Sequence, residues 1–217
     1  MNKRGLFITL EGGEGVGKST NMDFLASELT THGVDLEVTR EPGGTEMAEA
    51  IRQLLLTPRE EAVSEDAELL LIFAARAQHL KHRIEPALAA GRWVLCDRFT
   101  DATYAYQSGG RGLAANKVRE LEALVQGSLR PDYTLLLDAP VETGMARAKG
   151  RGELDRFEQE ERAFFERVRR TYLRLAEQSS GRFRIIDASQ SLENVRQELQ
   201  KVCRELLSCW TARKGST

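Results

Sequence analysis

Residues 12–19 read Gly12-Gly13-Glu14-Gly15-Val16-Gly17-Lys18-Ser19, which matches the pattern G-x-x-x-x-G-K-[ST]. The motif follows a short apolar run, Leu6–Leu10, and opens a segment that we expect to be helical, Lys18–Thr31. Glycines let the backbone curl until several N–H groups converge on one anion, and the start of a helix adds its positive end. The motif therefore predicts a phosphate-binding loop between a strand and a helix.

The side chains of this loop have separate predicted roles. Lys18 is expected to reach the β- and γ-phosphates of ATP, and the Ser19 hydroxyl is expected to be a ligand of Mg²⁺. The backbone of residues 12–17 and the adjacent Thr20 complete the predicted ATP-binding set. The alternative interpretation is a glycine-rich turn without a ligand.

The rest of the chain alternates short apolar runs with longer helical stretches. The predicted strands are Leu6–Leu10, Leu36–Thr39, Trp93–Cys96, Tyr133–Leu137 and Phe183–Ile186. The predicted helices are Lys18–Thr31, Glu46–Leu56, Ala67–Ala90, Leu113–Gln126, Val141–Lys149, Glu158–Gln178 and Leu192–Trp210. This alternation predicts an α/β protein with a P-loop NTPase-type three-layer fold, in which helices flank a five-stranded parallel sheet. We expect one domain over residues 1–217.

Composition and charge restrict the function further. Hydrophobic residues make up 41% of the chain and charged residues 29%, and 31 Lys plus Arg nearly balance 33 Asp plus Glu. This balance argues against a nucleic-acid partner, and no apolar run is long enough for a membrane span. Three sparse cysteines suit a reducing compartment, so we expect a cytoplasmic protein. His79 and His82 lie three residues apart, and we expect them on a partly solvated helix face rather than at a metal site.

A phosphate loop alone does not distinguish a kinase from a nucleotide-dependent switch or a motor. A GTPase needs an N-K-x-D motif that reads guanine, but the Asn-Lys pair in Asn116-Lys117-Val118-Arg119 is followed by Arg where that Asp belongs. A chain of 217 residues leaves little room for a motor. The sequence therefore favours a small kinase, with a phosphate-loop switch as the alternative.

Arginines follow two of the predicted strands. Arg98 comes directly after Trp93–Cys96 and next to Asp97, and Arg40 comes after Leu36–Thr39. Strand ends of a parallel sheet share one edge, and the guanidinium fork pairs bidentately with phosphate. We therefore expect a second phosphate-binding position beside the loop.

Two other features predict a second substrate and a cover for the site. Phe73 and Arg76 lie at i, i+3 on one helix face, where they could stack on a base and bond its edge; an ordinary core position is the alternative for Phe73. Arg151 and Arg156 lie in a glycine-punctuated segment at about 147–157. That segment suits a lid that closes over phosphates and excludes water, and a plain connection between helices is the alternative.

Six stretches in this order resemble the thymidylate kinase family, bacterial members most, and they span nearly the whole chain. They are Leu10-Glu11-Gly12, Thr39-Arg40-Glu41-Pro42-Gly43-Gly44-Thr45, Phe73-Ala74-Ala75-Arg76, Asp97-Arg98-Phe99, Thr103-Tyr104-Ala105-Tyr106-Gln107 and Arg151-Gly152-Glu153-Leu154-Asp155-Arg156. The resemblance implies phosphoryl transfer from MgATP to dTMP, giving dTDP and ADP for dTTP biosynthesis. A kinase of another nucleoside monophosphate, such as dUMP or dCMP, is the alternative within enzymes.

The resemblance also implies roles for residues at the dTMP site. Phe73 stacks on thymine and Arg76 bonds the edge of the base. Thr103 and Gln107 lie near the base, and Tyr106 packs under the deoxyribose and disfavours a 2′-hydroxyl. Arg40 belongs to the same predicted set.

The remaining implied roles concern the reacting groups. Arg98 holds the monophosphate, Asp97 is the acid near the metal, acting directly or through water, and Glu11 is a carboxylate beside the acceptor. Glu14 makes the phosphate loop non-basic, so the catalytic arginine is expected in the lid. Either Arg151 or Arg156 fits, with a slight preference for Arg151, because Arg156 could pair with Glu160.

The family is homodimeric, which implies a second copy of the chain as partner. The apolar face of the long predicted helix is expected to contribute to that contact through Leu69, Leu70, Ile72 and Leu80.

Replacing Lys18 with Ala tests the phosphate-loop assignment. No neighbouring residue replaces the point charge that Lys18 offers to a phosphate, so Lys18→Ala is expected to lower phosphoryl transfer at least about 10²-fold. Steady-state turnover measures the loss, and circular dichroism verifies that the variant is folded. Wild-type turnover in a folded Lys18→Ala protein would contradict the assignment.

Overall fold

The computed structural model describes residues 4–149, 155–158, 160–179 and 181–215. Its strands are β1 (Phe7–Gly12), β2 (Leu36–Arg40), β3 (Trp93–Asp97), β4 (Tyr133–Asp138) and β5 (Phe183–Asp187). They form one parallel sheet in the order β2-β3-β1-β4-β5. The predicted α/β fold with a five-stranded parallel sheet is confirmed.

Helices connect the strands and cover the sheet. They are α1 (Lys18–Thr31), α2 (Glu46–Leu56), α3 (Glu65–His79), α4 (Glu85–Ala89), α5 (Thr100–Thr103), α6 (Ala115–Gln126), α7 (Val141–Lys149), α8 (Arg162–Gln178) and α9 (Leu192–Gly215). Two π-helical segments, Leu80–Ile84 and Tyr104–Gly110, follow α3 and α5 directly. None of the helices within the described residues is long and apolar enough to cross a membrane.

The long helix predicted over Ala67–Ala90, for which the sequence offers Ser64 as a cap and Pro86 as a break, is divided into α3, the first π-helical segment and α4. It starts at Glu65, because the Ser64 hydroxyl accepts a hydrogen bond from the N–H of Ala67 and caps it. After His79 the hydrogen-bonding pattern changes from α-helical to π-helical over Leu80–Ile84, just before Pro86. Proline lacks an N–H group and its ring crowds the preceding turn, which accounts for the change in winding.

Other parts of the prediction also differ from the structure, since α6 begins at Ala115 instead of Leu113 and α9 ends at Gly215 instead of Trp210. The helix expected from Glu158 begins at Arg162, because Asp155 Oδ1 accepts the backbone N–H groups of Phe157 and Glu158 at 2.8 and 2.9 Å and holds them in a turn. The region between Phe99 and Gly112, for which no element was predicted, contains α5 and the second π-helical segment. Apolar periodicity is weak there, since polar and glycine residues alternate with aromatic ones.

The hydrophobic core lies on both faces of the sheet. The pairing register of the strands brings their carboxyl ends to the same level. On one face, α1 and α9 pack on the sheet through Leu25, Leu29 and Leu199, all buried. In the register of the sheet, Asp97 of β3 is opposite both Leu10 of β1 and the last residue of β2. Because these ends are level, the loops that follow β1, β2 and β3 meet at one edge.

Leu10 provides a test of how much the central strand contributes to stability. Its side chain is fully buried in the core, so Leu10→Ala is expected to lower the free energy of unfolding by about 3 kcal/mol through lost burial and a residual cavity. Urea denaturation measures the change. Leu54→Ala is the matched control, because Leu54 is 51% exposed and its loss should change stability by less than about 1 kcal/mol. Equal shifts in both variants would contradict this packing.

Candidate active site

A cavity of about 240 Å³ opens at the carboxyl edge of β1 and β3. The phosphate loop, α2, α3, α5 and the two segments that follow β2 and β3 all contribute to its wall. The lining residues are Glu14, Gly15, Gly17, Lys18, Ser19, Glu41, Pro42, Arg52, Leu55, Leu56, Ile72, Arg76, Asp97, Arg98, Phe99, Ala102, Thr103, Tyr106, Gln107, Asp155, Phe157 and Glu158. Most of the predicted site residues are therefore brought together, although they come from distant parts of the chain.

The phosphate loop forms one end of the cavity. Gly15 has a φ of 70°, and a Cβ atom there would lie 1.9 Å from the carbonyl oxygen of Gly144, so only glycine fits. The Lys18 ammonium donates hydrogen bonds to the carbonyl oxygens of Gly13 at 2.6 Å and Gly12 at 3.3 Å. Burial lowers the pKa of Lys18, and Arg98 lowers it further, although Glu14 opposes the shift. These contacts hold a desolvated cation at the start of α1.

Arg98 lies at the centre of the cavity. Its backbone has a φ of 68°, an unfavourable conformation for a side chain of this size, which is typical of functional sites. The guanidinium donates to Gly12 O at 3.1 Å and Glu14 Oε1 at 2.5 Å, and lies 4.6 Å from the ring centroid of Tyr106. Burial works to lower the pKa of Arg98, but Glu14 and the neighbouring tyrosines outweigh it and raise the pKa above its usual value.

Asp97 and Ser19 line the same end of the cavity and fit a magnesium ion. The Oδ1 atom of Asp97 is buried without a hydrogen-bond partner among the described residues. A carboxylate oxygen in that situation suits a cation or a bridging water, and the Ser19 hydroxyl offers a second oxygen ligand. The described residues contain no group of three or more His, Cys, Asp and Glu that could hold a metal. Two oxygen donors suit Mg²⁺, which protein sites commonly bind through few side chains plus substrate phosphates.

Arg76 forms the other end of the cavity. Its Nε atom donates to Glu41 Oε2 at 2.7 Å and its Nη2 atom donates to Thr103 Oγ1 at 3.0 Å. The guanidinium carbon lies 4.7 and 5.0 Å from the ring centroids of Phe73 and Phe99. Among the described residues, the Nη1 atom is buried without a hydrogen-bond partner, so its N–H groups are available to a ligand.

Phe73 occupies a different place from the one expected. The ring lies against Arg76 in a buried cluster with Leu69 and Val118, and it is not part of the cavity wall. Ile72 lines the wall instead, because successive residues of an α-helix point about 100° apart. Stacking of Phe73 on a base stays a prediction.

Gln107 and Arg156, one of the two arginines of the predicted lid, share one buried carboxylate. Glu68, only 1% exposed, accepts hydrogen bonds from Gln107 at 2.9 Å and from Arg156 at 2.6 Å. Arg156 also donates to the carbonyl oxygen of Leu55 at 2.7 Å, so it is held on α2 and α3. The predicted Arg151 lies outside the described residues.

The expected pairing of Arg156 with Glu160 is wrong. Glu160 pairs with Arg111, which also lies 3.4 Å from Glu68. The turn that Asp155 holds directs the side chain of Arg156 toward α3, away from the start of α8.

Arg40 and Glu11, like Phe73, lie off the cavity wall. Arg40 is about half exposed and pairs with Glu49 at 2.8 Å, beside an open groove that also contains Ser19. Glu11 is fully buried, where it accepts the N–H of Phe99 and the hydroxyl of Tyr172, both at 2.7 Å. Burial and the nearby Asp101 raise the pKa of Glu11 to about 8. In this structure Glu11 therefore supports the backbone beside Arg98.

The structure also adds cavity residues that the sequence did not reveal. Arg52 of α2 lines the wall and donates to the carbonyl oxygen of Pro42 at 3.0 Å, and Glu41 lies beside Arg76. The sequence signal that could have indicated them was their position, because both residues lie in or near the Thr39–Thr45 stretch.

His79 corrects another expectation. It is completely buried, whereas His82 is exposed, so the two histidines do not share a solvated face. The imidazole lies between Thr39 and Glu41, which gives both of its nitrogens a polar partner.

The strand order, the phosphate loop and the arginine-lined cavity define a P-loop nucleotide kinase of the α/β class. The family model for thymidylate kinase matches residues 10–199. The thymidylate kinase of Pseudomonas syringae pv. tomato is 62% identical over 203 residues, covering 94% of this chain and 97% of the relative. The thymidylate kinase of Alcanivorax borkumensis is 58% identical over 202 residues, covering 93% and 97%.

The chain belongs to the thymidylate kinase family. The predicted enzyme class and the predicted reaction, phosphorylation of dTMP to dTDP, are thereby confirmed.

Glu68→Gln tests whether the shared carboxylate stabilises this end of the site. Its removal leaves the buried ends of Arg156 and Arg111 without their common negative charge, so the free energy of unfolding should fall by about 3 kcal/mol. Thermal unfolding measures the loss. Asp66→Asn is the matched control on the same helix, because its ion pair with Lys117 is exposed and contributes less than about 1 kcal/mol. A Glu68→Gln protein as stable as the control would contradict the role of Glu68.

Proposed function

We propose that the two ends of the cavity bind the two substrates, with MgATP at the phosphate loop and dTMP between Arg98 and Arg76. The observation that carries this proposal is the position of Arg98, whose guanidinium lies on the wall of one continuous cavity that also contains Lys18 and Arg76. An acceptor phosphate held at Arg98 faces the phosphate loop while its base extends toward Arg76. Phosphoryl transfer requires this in-line placement and charge neutralisation more than a strong general base.

The ATP end consists of the loop N–H groups, Lys18 and the start of α1. Gly17, at the N-cap of α1, offers no side-chain cap, so the positive end of the helix is left for phosphate oxygens. Lys18 exchanges its carbonyl contacts with Gly12 and Gly13 for the β- and γ-phosphates. A magnesium ion bound through Ser19 and Asp97 supplies positive charge to those phosphates.

The dTMP end consists of Arg98, Tyr106, Gln107, Thr103 and Arg76. When dTMP binds, the Arg98 guanidinium leaves Glu14 and donates two parallel hydrogen bonds to the monophosphate. Tyr106 lies buried beside Arg98 and occupies the volume that a 2′-hydroxyl needs. Arg76 Nη1 donates to an acceptor on the edge of the base, with Gln107 and Thr103 beside it.

The lid supplies the catalytic arginine in this proposal. Glu14 cannot stabilise the negative charge that develops on the transferred group, so a cation must come from elsewhere. Arg156 is engaged by Leu55 O and Glu68 at the base end of the cavity, which favours Arg151 for the contact with the transferred phosphoryl. Arg156 then closes the cavity around the acceptor.

We propose a cytoplasmic homodimer with no nucleic-acid or membrane partner. Three free cysteines suit a reducing compartment. Of the apolar residues expected at the dimer contact, Leu69, Ile72 and Leu80 are core residues, whereas Leu70 is 56% exposed. Leu70 of α3 and Leu124 of the adjacent α6 are exposed leucines that a second copy would cover.

ADP release measured with different monophosphates tests the proposed binding mode. With dTMP the rate should exceed the rates with dCMP or with ATP alone by about 10²-fold or more, because a base that lacks the matching acceptor leaves Arg76 unpaired.

Arg151→Ala should lower kcat by about 10³-fold, with little change in dTMP affinity. Arg156→Ala is the matched variant, expected to raise the KM for dTMP more than it lowers kcat.

Three outcomes would contradict parts of this proposal. Hydrolysis of ATP at one rate with every monophosphate would indicate a switch, and faster turnover with dUMP or dCMP would indicate another acceptor. Near-wild-type single-turnover rates in both arginine variants would show that the lid supplies no catalytic charge.

A further inference from the structure

A chain of buried hydrogen bonds starts at Arg76 and Glu41 on the cavity wall and leads away from the cavity through His79 to Thr39. Arg76 Nε is 2.7 Å from Glu41 Oε2, and Glu41 Oε1 is 3.0 Å from His79 Nδ1. His79 Nε2 is 2.6 Å from Thr39 Oγ1. All four side chains are buried, and they come from β2, the segment that follows it, and α3.

The chemistry of these groups determines which atom donates and which accepts in each of these hydrogen bonds. The Glu41 carboxylate can only accept, so His79 Nδ1 carries a proton and donates it to Oε1. In the neutral imidazole, Nε2 is then an acceptor, and the Thr39 hydroxyl donates to it. Burial works to raise the pKa of Glu41, but the Arg76 guanidinium and the His79 hydrogen bond outweigh it and lower the pKa. The carboxylate is therefore ionised and both of its oxygens are engaged.

The segment after β2 closes tightly over the imidazole. Gly44 has a φ of 87°, and a Cβ atom there would lie 2.4 Å from His79 Nε2 and 2.7 Å from Thr39 Oγ1. This close approach leaves no room for water between the backbone and the ring. His79 is consequently held in one orientation, and Glu41 with it.

The arrangement leaves the arginine with very little freedom. Glu41 and Thr103 hold Nε and Nη2, and the rings of Phe73 and Phe99 pack on the guanidinium. Within the part of the chain that the structure describes, the Nη1 atom is the nitrogen of this guanidinium that has no partner. A donor fixed in this way distinguishes an acceptor from another donor on a ligand, because a mismatched pair leaves two buried polar groups unsatisfied.

We propose that Thr39, His79 and Glu41 form a positioning relay that fixes the Arg76 guanidinium, so that Nη1 selects a pyrimidine with a carbonyl acceptor at that edge over one with an amino group. Glu41 lies on the cavity wall, but Thr39 and His79 do not line this cavity, so those two residues act only through Glu41 and Arg76. This inference rests on the proposed placement of the base at the Arg76 end of the cavity.

Substitutions at His79 test the relay. His79→Leu keeps much of the volume but removes the donor to Glu41, so the KM for dTMP should rise about tenfold while the KM for ATP and kcat change less than about threefold. The preference in kcat/KM for dTMP over 5-methyl-dCMP, which carries an amino group in place of one carbonyl, should fall about tenfold. His79→Asn restores a donor near the position of Nδ1 and should recover most of that preference. His82→Leu, at the exposed histidine, is the matched control and should behave as wild type.

Thr39→Val provides a second test that does not depend on whether His79→Leu folds. It removes the hydroxyl at the far end of the relay and preserves the shape of the side chain. The preference for dTMP over 5-methyl-dCMP should fall about threefold, since the imidazole loses one of its two restraints. An unchanged preference in Thr39→Val and in every folded His79 variant would overturn the proposal.

The remaining outcomes separate the relay from general stability and from the proposed function. Parallel losses in kcat, the KM for ATP and the KM for dTMP, with an unchanged base preference, would mean that these residues only support the fold, which also overturns the relay. Dissociation constants for dTMP and 5-methyl-dCMP, measured by calorimetry in the same variants, report the base preference without turnover. A wild type that binds dTMP but releases no ADP would contradict the proposed function. The dissociation constants would still show whether the relay sets the preference for dTMP over 5-methyl-dCMP.

Discussion

Parallel pairing of β1 with β3, and of β3 with β2, is the constraint on which the site depends. The register aligns the ends of these strands, so the phosphate loop, the Thr39–Thr45 segment and the Asp97-Arg98 pair all leave the sheet at one edge. Helices cover both faces of such a sheet, which leaves its carboxyl edge as the place where polar loops and a ligand can meet. Arg98 depends directly on this geometry, because its N–H donates to Leu10 O at 3.0 Å and continues the pairing with β1.

Buried or half-buried carboxylates then orient the arginines around the cavity. Glu14 pairs with Arg98, Glu41 with Arg76 and Glu68 with Arg156. Desolvated guanidinium groups need such partners, because an unpaired buried charge is strongly unfavourable. The three pairs differ in burial, and this difference suits their proposed roles. Glu41 and Glu68 are almost fully buried and hold their arginines in place, whereas the side chain of Glu14 is 18% exposed, and in the proposed function a phosphate replaces it.

Strained and irregular backbone is concentrated in the same region. The positive φ of Arg98 and the π-helical segments after α3 and α5 lie beside or behind the cavity. The segment Tyr104–Gly110 carries Tyr106 and Gln107 onto the wall while α8 packs against its other side. Packing against α8 thus holds a winding that local helix propensity alone does not favour.

The sequence by itself determined the features whose residues are neighbours along the chain. The phosphate loop, the alternation of strands and helices, and the place of Arg98 after β3 all follow from short patterns, and so does the resemblance to the family. Strand ends extend a residue or two beyond the apolar runs because hydrogen bonding continues into Asp97 and Asp138, where the hydrophobic pattern stops.

Only the tertiary structure decided which face each helix presents and which distant residues meet. Ile72 instead of Phe73 lines the cavity, because Phe73 packs in a buried cluster with Val118 of α6. Arg52 reaches the cavity wall, whereas Arg40 lies on an open groove. His79 is buried because the Gly44 backbone closes over it. Glu68 meets Arg156 across 88 positions, and Glu11 meets Tyr172 across 161. Contacts between residues so far apart in the sequence depend on how whole helices and strands pack, and no local pattern of residues encodes them.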